Sequence, residues 1–189
     1  MIRIAIVGDI GSGKSHIAKL FKYPVFNADL EVAKIYKKNK KCFKDLKKKL
    51  PKYFSSLPIK KEEIIKAIVD SKNNLKKITK IVHPEIRKKL NIFLKNNKKE
   101  KVVILDIPLL LENKLNQKGD IIIFIQSKKI EVIRRLKKRD NFSVDLLNKF
   151  KKMQLPLSYK KKKSHFIIKN NFTNKSAKMN IIKILKKIL

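Results

Sequence analysis

What this sequence has little of narrows its reading first. Among 189 residues there is one cysteine, Cys42. A single thiol excludes a disulfide framework and any multi-cysteine zinc site. The three histidines, His16, His83 and His165, lie far apart without metal-ligand spacing. Acidic residues number 15 against 50 lysines and arginines, and glycines number four. No hydrophobic run approaches the length of a membrane span or the core of a signal peptide. These absences point to a cytoplasmic protein with no membrane partner. With 43% apolar residues the chain can build a real core. Its length suits one domain, or one domain with an inserted subdomain.

The formal net charge is +35. Such an excess first suggests nucleic acid or an anionic membrane. The distribution argues for compositional bias instead. Arginine occurs only at Arg3, Arg87, Arg134, Arg135 and Arg139, and the other 45 basic residues are lysines spread along the chain. No specific nucleic-acid partner is expected, although the field would attract anionic ligands. Three of the five arginines fall within 134–139. A guanidinium grips phosphate oxygens bidentately and an ammonium does not. The cluster therefore suggests a phosphate-facing segment; an exposed helix face that retains arginines is the alternative.

Continuous apolar runs at 2–7, 102–107 and 121–125 predict buried strands, with shorter ones at 25–28 (ending at Asp29) and 166–168. Between them the periodicity turns helical: after Lys14, through lysine-rich stretches from 30 to 97, over 130–139 and 144–153, and from Ala177 to the end. His83-Pro84 predicts a helix start, because the residue before proline is biased toward extended backbone. Lys160–Lys163 reads as a solvated face or a mobile loop. Apolar strands alternating with helices predict an α/β fold with a parallel sheet covered on both faces.

The chemistry is carried by Gly8-Asp9-Ile10-Gly11-Ser12-Gly13-Lys14-Ser15, which matches G-x-x-x-x-G-K-[ST] in full. A predicted strand precedes it and a helix follows, the context a phosphate-binding P-loop requires. Three of the four glycines lie in these positions. They let backbone N–H groups approach phosphate oxygens, and the helix N-terminus adds partial positive charge. Lys14 is expected to reach the β- and γ-phosphates of ATP, and the Ser15 hydroxyl to bind Mg²⁺. Gly8, Gly11, Ser12, Gly13 and His16 complete the expected nucleotide contacts. Asp9 is expected to point away from the nucleotide, since a carboxylate repels phosphate.

Three further residues carry two readings each. Asp29, at a strand end, either accepts a proton from an attacking hydroxyl or caps the next helix. Asp106 closes the strand at 102–105 as a Mg²⁺ partner or as part of a strand-terminal turn. His83 is a ligand-facing residue or a capping and packing histidine.

Taken in order, these segments resemble the dephospho-CoA kinase family. Gly8 to Ser15 matches G-G-I-G-S-G-K-S with Asp9 at the second glycine, and Asn27-Ala28-Asp29 matches D-A-D. Val82-His83-Pro84 matches V-H-P, and Asp106 to Glu112 matches D-x-P-L-L-[FL]-E. Arg135, Arg139-Asp140 and Ser143 match R-x-x-x-R-D before S-x-[ED], followed by Gln154 and the basic run Lys160–Lys163. The terminal A-D-x-V-I-x-N-x-G is matched weakly, with Asn170 in register, Ser164-His165 in place of Ala-Asp, and Phe172 in place of glycine. Asn27, and Lys34 where the family has arginine, are further departures.

The resemblance implies a three-layer P-loop kinase with about five parallel strands, a helical acceptor-binding insert over about 30–97 and a lid over about 135–163. It implies transfer of phosphate from ATP to the ribose 3′-hydroxyl of dephospho-CoA with Mg²⁺, by a monomer. Asp29 would be the base, with Lys14, Arg135 and Arg139 as charge-neutralising catalytic groups. Asn170 would join the ATP site. Asp29, His83, Pro108, Leu109 and Glu112 would face the acceptor, and Ser15 and Asp106 the metal. A nucleoside or nucleotide kinase is the alternative, and a nucleic-acid-binding P-loop NTPase the more distant one.

Overall fold

Strands rich in β-branched residues set the architecture. A computed structural model describes residues 1–138 and 143–189. It contains a five-stranded sheet built from β1 (Ile2–Gly8), β2 (Val25–Asn27), β3 (Val102–Asp106), β4 (Ile121–Gln126) and β5 (Phe166–Lys169). The strand order is β2-β3-β1-β4-β5 and every pairing is parallel. β3 is buried along its whole length, which explains why it reads as an unbroken apolar run. Ile4, Ile6, Ile104, Ile123 and Ile168 form one core with Ile17 and Phe21 of α1 (Lys14–Leu20) and its exit, and with Ile181 and Ile184 of α9 (Asn174–Ile188).

The chain divides into two compact units, residues 1–27 with 97–189, and residues 28–96. The first holds the sheet, α1, α6 (Lys129–Lys137), α7 (Val144–Lys152), α8 (Leu157–Lys162) and α9. The second is helical: α2 (Ala28–Lys38), α3 (Lys40–Lys49), α4 (Lys61–Asp70) and α5 (Lys72–Asn96). Ile78, Val82, Ile86 and Leu90, four residues apart, form the buried stripe of α5. Asn39 caps α3 by accepting from the Cys42 amide at 2.9 Å. Cys42 itself is buried, and burial together with the nearby carboxyls Glu85 and Asp45 pushes its thiol up to about 11.

Three expectations are corrected. Asp29 does not end a strand: β2 stops at Asn27 and Asp29 lies in the first turn of α2, where a carboxylate suits the helix dipole. His83-Pro84 does not start a helix but lies inside α5. The apolar stripe on both sides of Pro84 carries the helix through it, and packing outweighs the lost hydrogen bond. Lys160 is neither solvated nor in a loop; it belongs to α8 and is 3% exposed. Arg139 and Asp140 lie outside the described residues.

Candidate active site

The glycine loop leaves β1 at Gly8 and enters α1 at Lys14. Gly8 has φ +152°, and a Cβ there would lie 2.7 Å from the Ile125 carbonyl oxygen of neighbouring β4. Gly13 has φ +90°, and a Cβ there would lie 2.5 Å from Asn170 Nδ2. Neither position tolerates a side chain, so the glycine pattern follows from the geometry. The Ser12 carbonyl accepts from Asn170 Nδ2 at 2.8 Å and from Ser127 Oγ at 3.0 Å, tying the loop to the segments after β5 and β4. Asn170 is thereby engaged with the cradle itself. Ser12 Oγ is buried and has no hydrogen-bond partner among the described residues, a polar group left for a ligand.

Lys14 arches back over the loop. Its Nζ donates to the carbonyls of Asp9 at 2.7 Å and Gly8 at 3.3 Å, so the ammonium stands at the loop's first residues. Asp9 Oδ1 accepts from the Ile10 amide at 2.7 Å, which occupies one of its oxygens on the loop's own backbone. Ser15 is exposed in the first turn of α1. His16 Nε2 pairs with Asn174 Oδ1 at 2.7 Å, linking α1 to the start of α9.

Asp106 is 3% exposed at the end of β3, and its Oδ2 accepts from Asn27 Nδ2 at 2.5 Å across the β2–β3 pair. Ser15 and Asp106 are hard oxygen donors at the same end of the sheet, a set that suits Mg²⁺. Among the described residues no three His, Cys, Asp or Glu side chains group to hold a metal without help. A Mg²⁺ site built from one or two protein oxygens plus substrate phosphates needs no such group.

Beyond Asp106 the chain makes a tight turn. Pro108 is exposed and Leu109 adopts φ +57°, rare for a residue with a side chain. The Leu109 carbonyl accepts from both the backbone amide (3.0 Å) and Nδ2 (2.9 Å) of Asn113, which holds the turn in place. Glu112 follows, with its Oε1 2.7 Å from Lys160 Nζ and accepting from the Leu155 amide at 3.0 Å. Lys160 Nζ also donates to Gln154 Oε1 at 3.2 Å. The Glu112 and Lys160 side chains are 10% and 4% exposed. Glu112 is therefore committed to the protein.

The arginines behave differently from one another. Arg134 is exposed and pairs with Glu131 one turn earlier at 2.5 Å. Arg135 places its guanidinium 4.4 Å from the centre of the Phe172 ring. Phe172 has φ +64°, and its ring edge lies 3.4 Å from where a Gly13 Cβ would be. Arg135 is thus held beside the phosphate loop by cation–π contact.

A cavity of about 550 Å³ adjoins the loop at Asp9. It runs between the end of β4 at Gln126 and Ser127 and the segment Gln154–Ser158, with Lys129, Lys151 and Lys161 on its walls.

In the helical unit, Asp29 is exposed and His83 is half-buried. Burial, reinforced by the Arg87 charge, holds the His83 imidazole below its ordinary range. The Lys160 pair and the Phe172 stack escape sequence reasoning. One lysine among 45 carries no sign that it is buried, and no spacing rule joins residues 135 and 172.

A family profile described as dephospho-CoA kinase matches residues 2–176. A dephospho-CoA kinase from the Wolbachia of Brugia malayi is 34% identical over 170 residues, covering 87% of each chain. One from Bacillus thuringiensis is 29% identical over 197 aligned positions, covering 97% of this chain and 96% of its own. The solved dephospho-CoA kinase of Campylobacter jejuni superposes with a TM-score of 0.63 at 24% identity, over 98% of this chain and 96% of its own.

Proposed function

Since the chain belongs to the dephospho-CoA kinase family and phosphorylates dephospho-CoA with ATP to give CoA and ADP, we propose how its own residues divide that work. The observation that carries the reading is Lys14, whose ammonium lies over the first residues of a loop formed by left-handed glycines. The phosphate chain of ATP lies in this cradle, with its terminal phosphate at the Asp9 end. Backbone N–H groups and Lys14 neutralise charge that grows in the transition state.

The acceptor is the ribose 3′-hydroxyl, whose oxygen attacks the γ-phosphorus in line. Asp29 takes the proton released as the new P–O bond forms, and the bond to the β-phosphate oxygen breaks. Ser15 and Asp106 would hold Mg²⁺, which would supply positive charge against the phosphates. Arg135, and Arg139 beyond the described residues, complete the charge neutralisation as a lid over about 135–163 closes. Closure keeps water from the reactive phosphate. His83, Pro108 and Leu109 serve the acceptor, and residues 28–96 form its helical binding insert. The protein works as a cytoplasmic monomer with no specific nucleic-acid partner. Among the described residues no helix is long and apolar enough to cross a membrane.

The test is ATP turnover with dephospho-CoA, with nucleoside monophosphates and with RNA. Turnover is expected with dephospho-CoA alone. Asp29→Asn keeps the shape and removes the basicity, so kcat is expected to fall by about 10²–10⁴ with ATP affinity retained. Unchanged turnover together with lowered stability would assign Asp29 to the helix dipole instead.

A further inference from the structure

Lysine is the chain's default surface residue, yet among the described residues one lysine is buried, Lys160. Burying an ammonium is costly unless it is paired and hydrogen-bonded. Lys160 meets both conditions, with Glu112 at 2.7 Å and Gln154 Oε1 at 3.2 Å. Glu112 in turn accepts from the Leu155 amide. Two contacts of the ion pair therefore fall on Gln154 and Leu155, where α7 gives way to α8. These two residues begin the Gln154–Ser158 wall of the cavity beside Asp9. The wall's position is set from behind, by charges that do not line the cavity.

The cavity's place relative to the loop indicates its occupant. Lys14 Nζ, which reaches the β- and γ-phosphates, is bonded to the carbonyls of Gly8 and Asp9. The terminal phosphate therefore lies at the Asp9 end, and the cavity opens there. The other end of the loop, at Gly13, is closed by Asn170 and Phe172. The cavity therefore offers one approach to the terminal phosphate. The lining suits an anion with an apolar arm: Lys129, Lys151 and Lys161 outnumber the single acidic residue, Asp9, and Leu155, Pro156 and Leu157 supply apolar surface.

We propose that Glu112 and Lys160 are positioning residues for the acceptor: their buried ion pair fixes the wall of the Asp9 cavity, and dephospho-CoA places its diphosphate among Lys129, Lys151 and Lys161 with its pantetheine arm along Leu155–Leu157. This rests on the assigned reaction. Wild-type turnover of dephospho-CoA checks that reaction separately from the variants.

The experiment is steady-state kinetics with each substrate varied in turn, plus calorimetric binding of dephospho-CoA without ATP. Lys151→Ala/Lys161→Ala changes exposed side chains and is expected to raise the dephospho-CoA KM and Kd at least about tenfold, with ATP KM within about twofold. Lys160→Met is expected to do the same, and Lys160→Arg to recover most of the loss. Lys186→Ala, at an exposed position of α9, is the unchanged control. A rise in ATP KM instead would make the cavity a nucleotide site and overturn the proposal. So would an unchanged dephospho-CoA Kd in the Lys151/Lys161 variant, which keeps the test decisive even if Lys160→Met does not fold.

Discussion

The glycine loop and the segment Gln154–Lys163 border one cavity and are built in opposite ways. The loop is local: its shape follows from glycines at 8, 11 and 13, all with positive φ, and its lysine bonds back to its own carbonyls. The 154–163 segment contains no glycine and is shaped from a distance, by a carboxylate 43 positions before the amide that it holds. Backbone geometry imposed by glycine leaves a signature in sequence. A long-range charge pair leaves none, because nothing in sequence joins Glu112 to one lysine among 45.

Four changes would break or sharpen that contrast, beginning with the largest effect. Lys14→Ala removes the cation from the local element and is expected to lower kcat by at least about 10²-fold. Its thermal unfolding should stay close to wild type, since water can satisfy the Gly8 and Asp9 carbonyls that Lys14 bonds. Rapid-quench or coupled kinetics beside a melting curve checks both halves; more than about a tenth of wild-type kcat would remove Lys14 from the role.

Lys160→Met should show the reverse pattern in stability. It leaves Glu112 buried without its partner, so a loss of about 3–5 kcal/mol is expected in urea denaturation. Glu112→Leu/Lys160→Met removes both charges and should recover most of that loss, because an apolar pair of similar volume carries no desolvation cost. If the double variant were as unstable as the single, the pair would matter through shape and not charge.

The arginines provide a smaller contrast. Arg135→Lys keeps charge but loses the planar stack on Phe172, and kcat is expected to drop about tenfold. Arg134→Lys touches an exposed ion pair, the kind worth at most about 1 kcal/mol, and should be silent in steady-state kinetics. Equal effects at the two positions would mean that the stack has no bearing on catalysis.

The smallest effect is expected from His83. Its imidazole titrates below the unfolded value in the folded protein, mainly through burial. The unfolded chain therefore binds the proton more readily, and stability falls as pH drops below about 6.5, the ordinary histidine value. Above that value the contribution is fully present. His83→Gln should flatten this part of a stability-versus-pH curve, measured by denaturant midpoint from pH 5 to 8.

The sheet was legible because its strands are nearly all apolar and its first turn is a full phosphate-binding motif. The strands and the glycine loop at Gly8–Ser15 follow from local pattern. Other features depended on packing. Asp29 moved from strand to helix because β2 has only three residues, too few for a period to mark its end. Pro84 sits inside a helix because Ile78, Val82, Ile86 and Leu90 bury a continuous stripe past it, which a proline rule alone overlooks. The Lys160 clamp depends on the fold, since Glu112 and Gln154 stand out in sequence but nothing there pairs them with Lys160.

The buried Cys42 gives the helical unit an intrinsic clock. With its thiol pushed up to about 11 and its side chain enclosed, it meets an alkylating reagent essentially only when α3 and α5 part. Because it is the chain's one cysteine, labelling reports openings that expose residues 28–96 and no other site. If residues 28–96 bind the acceptor as proposed, the rate of modification is expected to fall when dephospho-CoA is added.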